Sequence, residues 1–298
     1  MSNAIEADFH ETVLRALPPS QRATLRSCAG KQTAAWLATI PTEAALKLDD
    51  TQFRVSLGRR LHLPVQPLPE ECSGCHQEID AYGFHRTTCM RTGIIQRRHG
   101  SLVAVWRRIF QEFGKPITDR NVERLIRDTH LRQNDSDTRR LDLVAPGILG
   151  VFSGKPLFID ITCVSPVTGQ GAPKPRAANE DGAALHDKDV ETRDRDYPDV
   201  AAAPHAALLS LSVETYGRWG ADSLRLVREL ARAKAANYPE ILQLSVRHAY
   251  AKRWWHILSV AVQRLTSDAI LRSHGADLTD ASSSSQVLPL ADVLDLFR

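Results

Sequence analysis

The chain of 298 residues has no apolar run on the order of 18 residues, so no membrane-spanning helix is expected. Its first stretch, from Met1 to Glu11, is acidic and has no apolar core of the kind a secretory signal needs. Neither sign of charge dominates. The 38 Lys and Arg stand against 35 Asp and Glu, and a net charge of +3 says little about partners, so only the distribution of charge is informative. Internal repeats and long low-complexity tracts are also missing. Cysteine is sparse, with Cys28, Cys72, Cys75, Cys89 and Cys163 and no dense, even framework. Three of the five fall between positions 72 and 89 and share that window with histidines. Such a pattern suits metal binding in a reducing compartment rather than disulfides.

What is present is ordinary globular material, 43% hydrophobic and 24% charged, enough for one large domain or two small ones. Residues 1–66 read as a helical region. Within it Asp49 or Asp50 can cap a helix whose apolar positions are Phe53, Val55 and Leu57. Pro64, Pro67 and Pro69 then break regular structure. Residues 67–115 hold the cysteine cluster and an arginine-rich helix with Leu102, Val105, Trp106, Ile109, Phe110 and Phe113 at helical spacing, stopped by Gly114 and Pro116. Trp106 belongs to that apolar stripe and reads as core, not as a stacking platform for bases.

Beyond a polar stretch over 128–140 the period changes. A short apolar run over 141–145 and a strand over 156–164 are expected, the latter rich in β-branched and aromatic residues. A Gly/Pro loop over 167–176, a charged helix over 177–196, a strand over 208–216 and two helices over 221–237 and 239–273 follow. Strand–helix–strand alternation makes residues 130–275 a small α/β or α+β domain. Residues 276–298, with Ser282 to Ser285, read as a flexible tail.

Three constellations carry chemistry. The first is Cys72-x2-Cys75-x9-His85-x3-Cys89. Zinc takes four soft or borderline ligands in a tetrahedron, and three thiolates with one imidazole form a normal structural set. The Cys-x2-Cys pair makes a tight knuckle, the His-x3-Cys pair suits one helical turn, and Gly83 permits a sharp bend between them. His76 and His99 are spare candidates that rank below His85. The second is a positive run of Arg86, Arg91, Arg97, Arg98, Arg107 and Arg108 with no Asp or Glu among them. It reads either as a phosphate-contacting surface or as the solvated face of an amphipathic helix, and the absence of acid favours nucleic acid.

The third is a pair of carboxylates. Asp142 opens the first β run and Asp160 sits inside the second. Pairing of the two strands as a hairpin would bring the carboxylates together, where they can hold Mg²⁺ through oxygen. An Asp in the apolar context Phe158-Ile159-Asp160-Ile161 is costly without a partner, unless it faces solvent on an edge strand. On the helix that follows, Lys188, Glu191 and Arg195 share a face, and a lysine near metal-bound water can orient it or steady the phosphate.

These residues, with Ala35-Trp36-Leu37, Phe53-Arg54, Asp80-x2-Gly83-x-His85, Arg98-His99, Arg140-Leu141-Asp142-Leu143-Val144, Phe158-Ile159-Asp160-Ile161-Thr162 and Val213-Glu214-Thr215, resemble the C-terminal segment of non-long-terminal-repeat retrotransposon polyproteins. In that class a reverse transcriptase is followed by a zinc knuckle and a restriction-like endonuclease. The likeness covers roughly residues 33–270. It implies a PD-(D/E)XK nuclease core, a small mixed sheet flanked by helices, that nicks DNA with a divalent metal. Asp142 matches the first motif Asp and Asp160 the second acidic residue. Leu141 stands where the motif has Pro, and Thr162 where the general pattern has Lys. In this class the basic residue can come from the following helix, and Lys188, or Arg193 ahead of Tyr197, fits that role. The chain has no Tyr-x-Asp-Asp run and no room for a polymerase, so it looks like a fragment or domesticated remnant. The resemblance implies structural Zn²⁺, catalytic Mg²⁺, DNA as partner with RNA as a second candidate, and an intracellular, nuclear setting. The alternative is a non-catalytic zinc-dependent nucleic-acid-binding module that keeps an inactive nuclease fold.

Overall fold

Capping chemistry sets the first elements. The computed structural model describes residues 11–65, 68–115, 117–121 and 139–271. Helix α1 (Pro19–Cys28) is followed by two 3-10 turns, Ala35–Ala38 and Ala44–Leu46. Helix α2 (Asp50–Arg60) starts at Asp49, whose carboxylate accepts the Gln52 N–H at 2.7 Å while the Gln52 side chain accepts the Asp49 N–H at 3.0 Å. That reciprocal pair satisfies two amides the helix end would leave without partners. Of the expected apolar positions on α2, Val55 is buried, whereas Phe53 stays exposed and meets the edge of Trp36 at 5.8 Å.

After a short hairpin come α3 (Phe84–Thr88) and α4 (Ile94–Phe113), which ends in the left-handed Gly114. Strands β1 (Thr118–Asn121), β2 (Arg140–Ala145) and β3 (Leu157–Val164) form an antiparallel run. Helix α5 (Ala183–Val190), a π-helical turn (Glu191–Asp196) and α6 (Pro198–Ala201) then cross over to β4 (Ala207–Glu214), which lies parallel to β3. A parallel neighbour requires such a crossover. Helices α7 (Ala221–Ala235) and α8 (Glu240–Leu271) complete the described chain. The sheet order is β1-β2-β3-β4, and the protein is a mixed α/β fold with a small mixed sheet flanked by helices.

The two faces of the sheet differ. Leu143, Ile159, Ile161, Leu209, Leu211 and Val213 project into one core with Trp106 and Phe110 of α4, Leu226 and Leu230 of α7, and Tyr250, Trp254 and Leu258 of α8. Trp106 is fully buried there, as its stripe predicts. The opposite face carries Asp160 and Thr162 beside Ser210 and Ser212 in register, covered by α5 and the π turn. Ser210 and Ser212 donate to Asp189 of α5 at 2.6 and 3.0 Å, which satisfies hydroxyls that burial would otherwise strand.

Two features depart from the sequence reading. Strand β1 was not expected, because Thr-Asp-Arg-Asn carries no β signal; pairing with β2 makes it a strand. The expected divisions near 66 and 115 also do not part the core: Leu46, Leu102 and Val262 share one cluster, and Val55 and Val65 pack with Ile270. The expected tail, 276–298, and most of the polar stretch over 128–140 lie outside the described residues.

Candidate functional site

The cysteine–histidine cluster is built by two local devices. A hairpin, bridged between Glu71 and Glu78, turns so that Cys72 accepts the His76 N–H at 2.8 Å and donates its own N–H to Gln77 at 2.9 Å. His76 sits at φ +58°, in the left-handed region, is exposed, and is not among the residues whose ligand atoms come together. Asp80 then accepts the amides of Tyr82 and Phe84 at 2.9 Å and that of His85 at 2.7 Å, capping α3 from outside it. Gly83 takes φ +72°, and a Cβ there would meet Ile270 at 2.9 Å, so both backbone and space call for glycine. One turn of α3 carries the chain from His85 to Cys89.

Together these place ligand atoms of Cys72, Cys75, His85 and Cys89 within 4.8 Å of one another, a cluster that could hold a metal ion such as zinc. The Cys72–Cys89 and Cys75–Cys89 sulfurs are 3.8 Å apart, and Cys75 Sγ is 3.2 Å from His85 Nε2. A tetrahedral zinc ion with Zn–S bonds of about 2.3 Å separates its sulfurs by about 3.8 Å, so the spacing fits. Burial pushes the Cys72 thiol up, but the Gly74 and Cys75 amides and the His85 ring outweigh it and bring the thiol down to about 6. The Cys89 thiol is instead pushed up, by burial first and by the neighbouring sulfurs, while the charges of Cys72 and Cys89 offset part of the burial penalty on the Arg86 guanidinium.

The arginines of the positive run divide. Arg86 is buried and donates to Ala269 O at 3.4 Å. Arg98 is buried too, and its fork reaches Thr87 O at 3.0 Å and Cys163 O at 3.4 Å. Both serve as internal ties, which corrects their reading as phosphate contacts. Arg108 lies between Glu43 at 2.9 Å and Glu112 at 3.2 Å, acids distant from it in sequence or beyond the run. Arg91 is exposed, and Arg97 and Arg107 are partly so.

The carboxylates meet across adjacent strands. Leu143 pairs with Ile159, and the same register carried one residue further sets Asp142 opposite Asp160. Asp142 is held by two donors, the Ile161 N–H at 2.7 Å and His99 Nε2 at 3.0 Å. Asp160 is half-buried beneath the π turn, where Thr192 Oγ1 approaches it at 3.5 Å. Burial first, and the Asp142 charge second, push Asp160 up to about 6, while Lys188 and His99 pull the other way. Tyr197, which donates to Arg140 O at 2.8 Å, is raised by burial and by the same two aspartates.

Of the two expected basic residues, Lys188 faces this site. It pairs with Glu191 at 3.0 Å and Asp196 at 3.4 Å, and its charge acts on Asp160. Arg193 turns the other way, onto Asp222 and Leu208 O. Arg195 pairs with Glu191 on the outer surface. The role that the sequence did not assign is that of His99, which stood there as a spare zinc candidate and as part of the Arg98-His99 likeness. Its signal was helical spacing: positions 99, 102, 106 and 110 fall on one face of α4, and that face packs on the sheet. No protein-family model and no curated protein matches the chain. Among the described residues no helix is long and apolar enough to cross a membrane.

Proposed function

We propose that the chain is a retroelement-derived nucleic-acid-binding protein that nicks DNA by divalent-cation-dependent phosphodiester hydrolysis, with zinc on Cys72, Cys75, His85 and Cys89 as a structural ion. The observation that carries this reading is the pair Asp142 and Asp160, half-buried and opposite one another on adjacent strands, with the Lys188 charge acting on Asp160. Two carboxylates in mutual repulsion are a fit for a hard cation, because the cation relieves that repulsion through oxygen donors. Asp142 and Asp160 would hold Mg²⁺, which supplies polarisation of the phosphodiester and a more acidic water. The Ile161 amide and His99 fix the orientation of Asp142, and Lys188 brings a positive charge to where a phosphate would gather negative charge. Arg91, Arg97 and Arg107 remain as contacts to the nucleic-acid backbone, and DNA as substrate makes the nucleus the place of work.

The test is conversion of supercoiled plasmid to open circles in Mg²⁺ or Mn²⁺ by the wild type and by Asp160→Ala. Nicking by the wild type and none by the variant is expected. Equal activity in both sinks the assignment of Asp160, and DNA binding without nicking by the wild type leaves the non-catalytic module.

A further inference from the structure

The start of α4 holds two neighbouring residues that reach opposite ways. Arg98 is buried and joins Thr87 O, in the helix that presents His85, to Cys163 O on β3. Cys163 lies three residues past Asp160 on the same strand. His99, half exposed, places Nε2 at 3.0 Å from Asp142 Oδ1. An ionised carboxylate only accepts, so this nitrogen is the donor. With the Ile161 amide on Oδ2, each oxygen of Asp142 has one fixed donor, and Ile161 is the neighbour of Asp160. The loop after β3 closes the connection, because a Cβ on Gly169 would stand 2.9 Å from Thr88 Oγ1 and 3.6 Å from His85 Nδ1.

We propose that His99 is a positioning residue that aims Asp142 at the cation shared with Asp160, and that Arg98 fixes His99 relative to the cysteine–histidine cluster. This rests on the reading of Asp142 and Asp160 as a divalent-cation site. A carboxylate free to rotate would lose its aim at the ion. Outer partners of metal-binding carboxylates act in this way, and their removal weakens metal binding about 10- to 100-fold. Arg98 is suited to its part because a planar fork can meet two carbonyls at once, whereas a lysine ammonium on a flexible stem does not hold the same geometry.

The experiment is Mn²⁺ binding to the full chain with zinc loaded, followed by electron paramagnetic resonance of the free ion, with no DNA present. Wild type, Asp160→Ala, His99→Ala, His99→Gln and Arg98→Lys are compared, with melting curves and zinc content as controls. Asp160→Ala is expected to lose the site. His99→Ala is expected to weaken it about tenfold with an unchanged melting curve. His99→Gln, which keeps a donor, is expected to recover most of the affinity, and Arg98→Lys to weaken it with one zinc retained per chain. Unchanged or raised affinity in His99→Ala, or equal weakening in His99→Ala and His99→Gln, overturns the positioning role. Wild-type affinity in Arg98→Lys overturns the tie to the cluster. If Asp160→Ala binds Mn²⁺ like the wild type, the cation-site reading itself fails, which is a separate result.

Discussion

At the scale of single residues, a carboxyl group buried next to another carboxyl group is disfavoured in its ionised form. Asp160 is such a group, pushed from 3.8 to about 6 by burial and then by Asp142. A folded value above the unfolded one means that the protonated form is favoured by folding. The associated stability is therefore full below about pH 4, lost as pH rises to about 6, and absent above it. Asp160→Asn removes the charge and keeps the shape, so it is expected to raise stability at pH 7–8 by about 1–3 kcal/mol while abolishing nicking. Urea midpoints at pH 7.5 check the first part, and an unchanged or lower midpoint speaks against a strained carboxylate. Asp80 is a carboxylate that accepts three amides. Asp80→Ala is expected to cost about 1–2 kcal/mol and to speed zinc release to a colorimetric chelator. The Cys72, Cys75, His85 and Cys89 cluster and the opposition of Asp142 to Asp160 could be expected from sequence because each is a polar residue in an informative local frame. For His99 only its place on the sheet-facing side of α4 could be read; its contact with Asp142, 43 positions away, could not.

At the scale of elements, α4 shows which contacts a local pattern contains. Its apolar stripe from Leu102 to Phe113 and its stop at Gly114 follow from spacing alone. Its polar anchors do not. Glu112 receives Arg253 at 2.9 Å, Arg108 at 3.2 Å and the Trp254 indole N–H at 3.0 Å, and Arg253 also meets Glu43 at 2.9 Å. Arg108, at the end of the positive run, therefore looked unopposed only because its acids come from elsewhere. Burial would raise Glu112, but Arg253 and then Arg108 hold it below its ordinary 4.5. A depressed folded value contributes stability above pH 4.5 that is lost as pH falls through the folded value. Glu112→Gln leaves Arg253 and Arg108 with less compensation, and a loss of about 3–5 kcal/mol at pH 7 is expected. Stability curves should also show a smaller drop for the variant than for the wild type below pH 4.5; parallel acid limbs would place the titration elsewhere. Strand β1 was illegible for a related reason. Its four polar residues are a strand only through the edge that β2 offers.

At the scale of the whole molecule, α8 connects parts that the sequence separates. Its 32 residues read as one long helix, but a helix buried along so much of its circumference has no single apolar face to show what it packs against. Its middle joins the sheet core through Tyr250, Trp254 and Leu258. Its last turns reach the other end of the chain: Ile270 lies against Gly83 and Val55, and Ala269 O accepts from Arg86. The cysteine–histidine cluster has little core of its own, only Cys72, Ile79 and Cys89 with Leu68 and Cys75 at their margin. A metal ion bound there contributes its binding free energy to whatever unfolds with the cluster. Since Arg86 and Arg98 join that region to α8 and β3, the unfolding unit is expected to be the whole described fold, not residues 68–92 alone. Stripping zinc with a chelator should then lower one cooperative melting transition. Hydrogen exchange should rise in the last turns of α8 and near Cys163 as well as in the hairpin. Loss of protection confined to 68–92, with Ala269, Ile270 and Cys163 still protected, would instead make the cluster an independent flap on a self-sufficient sheet.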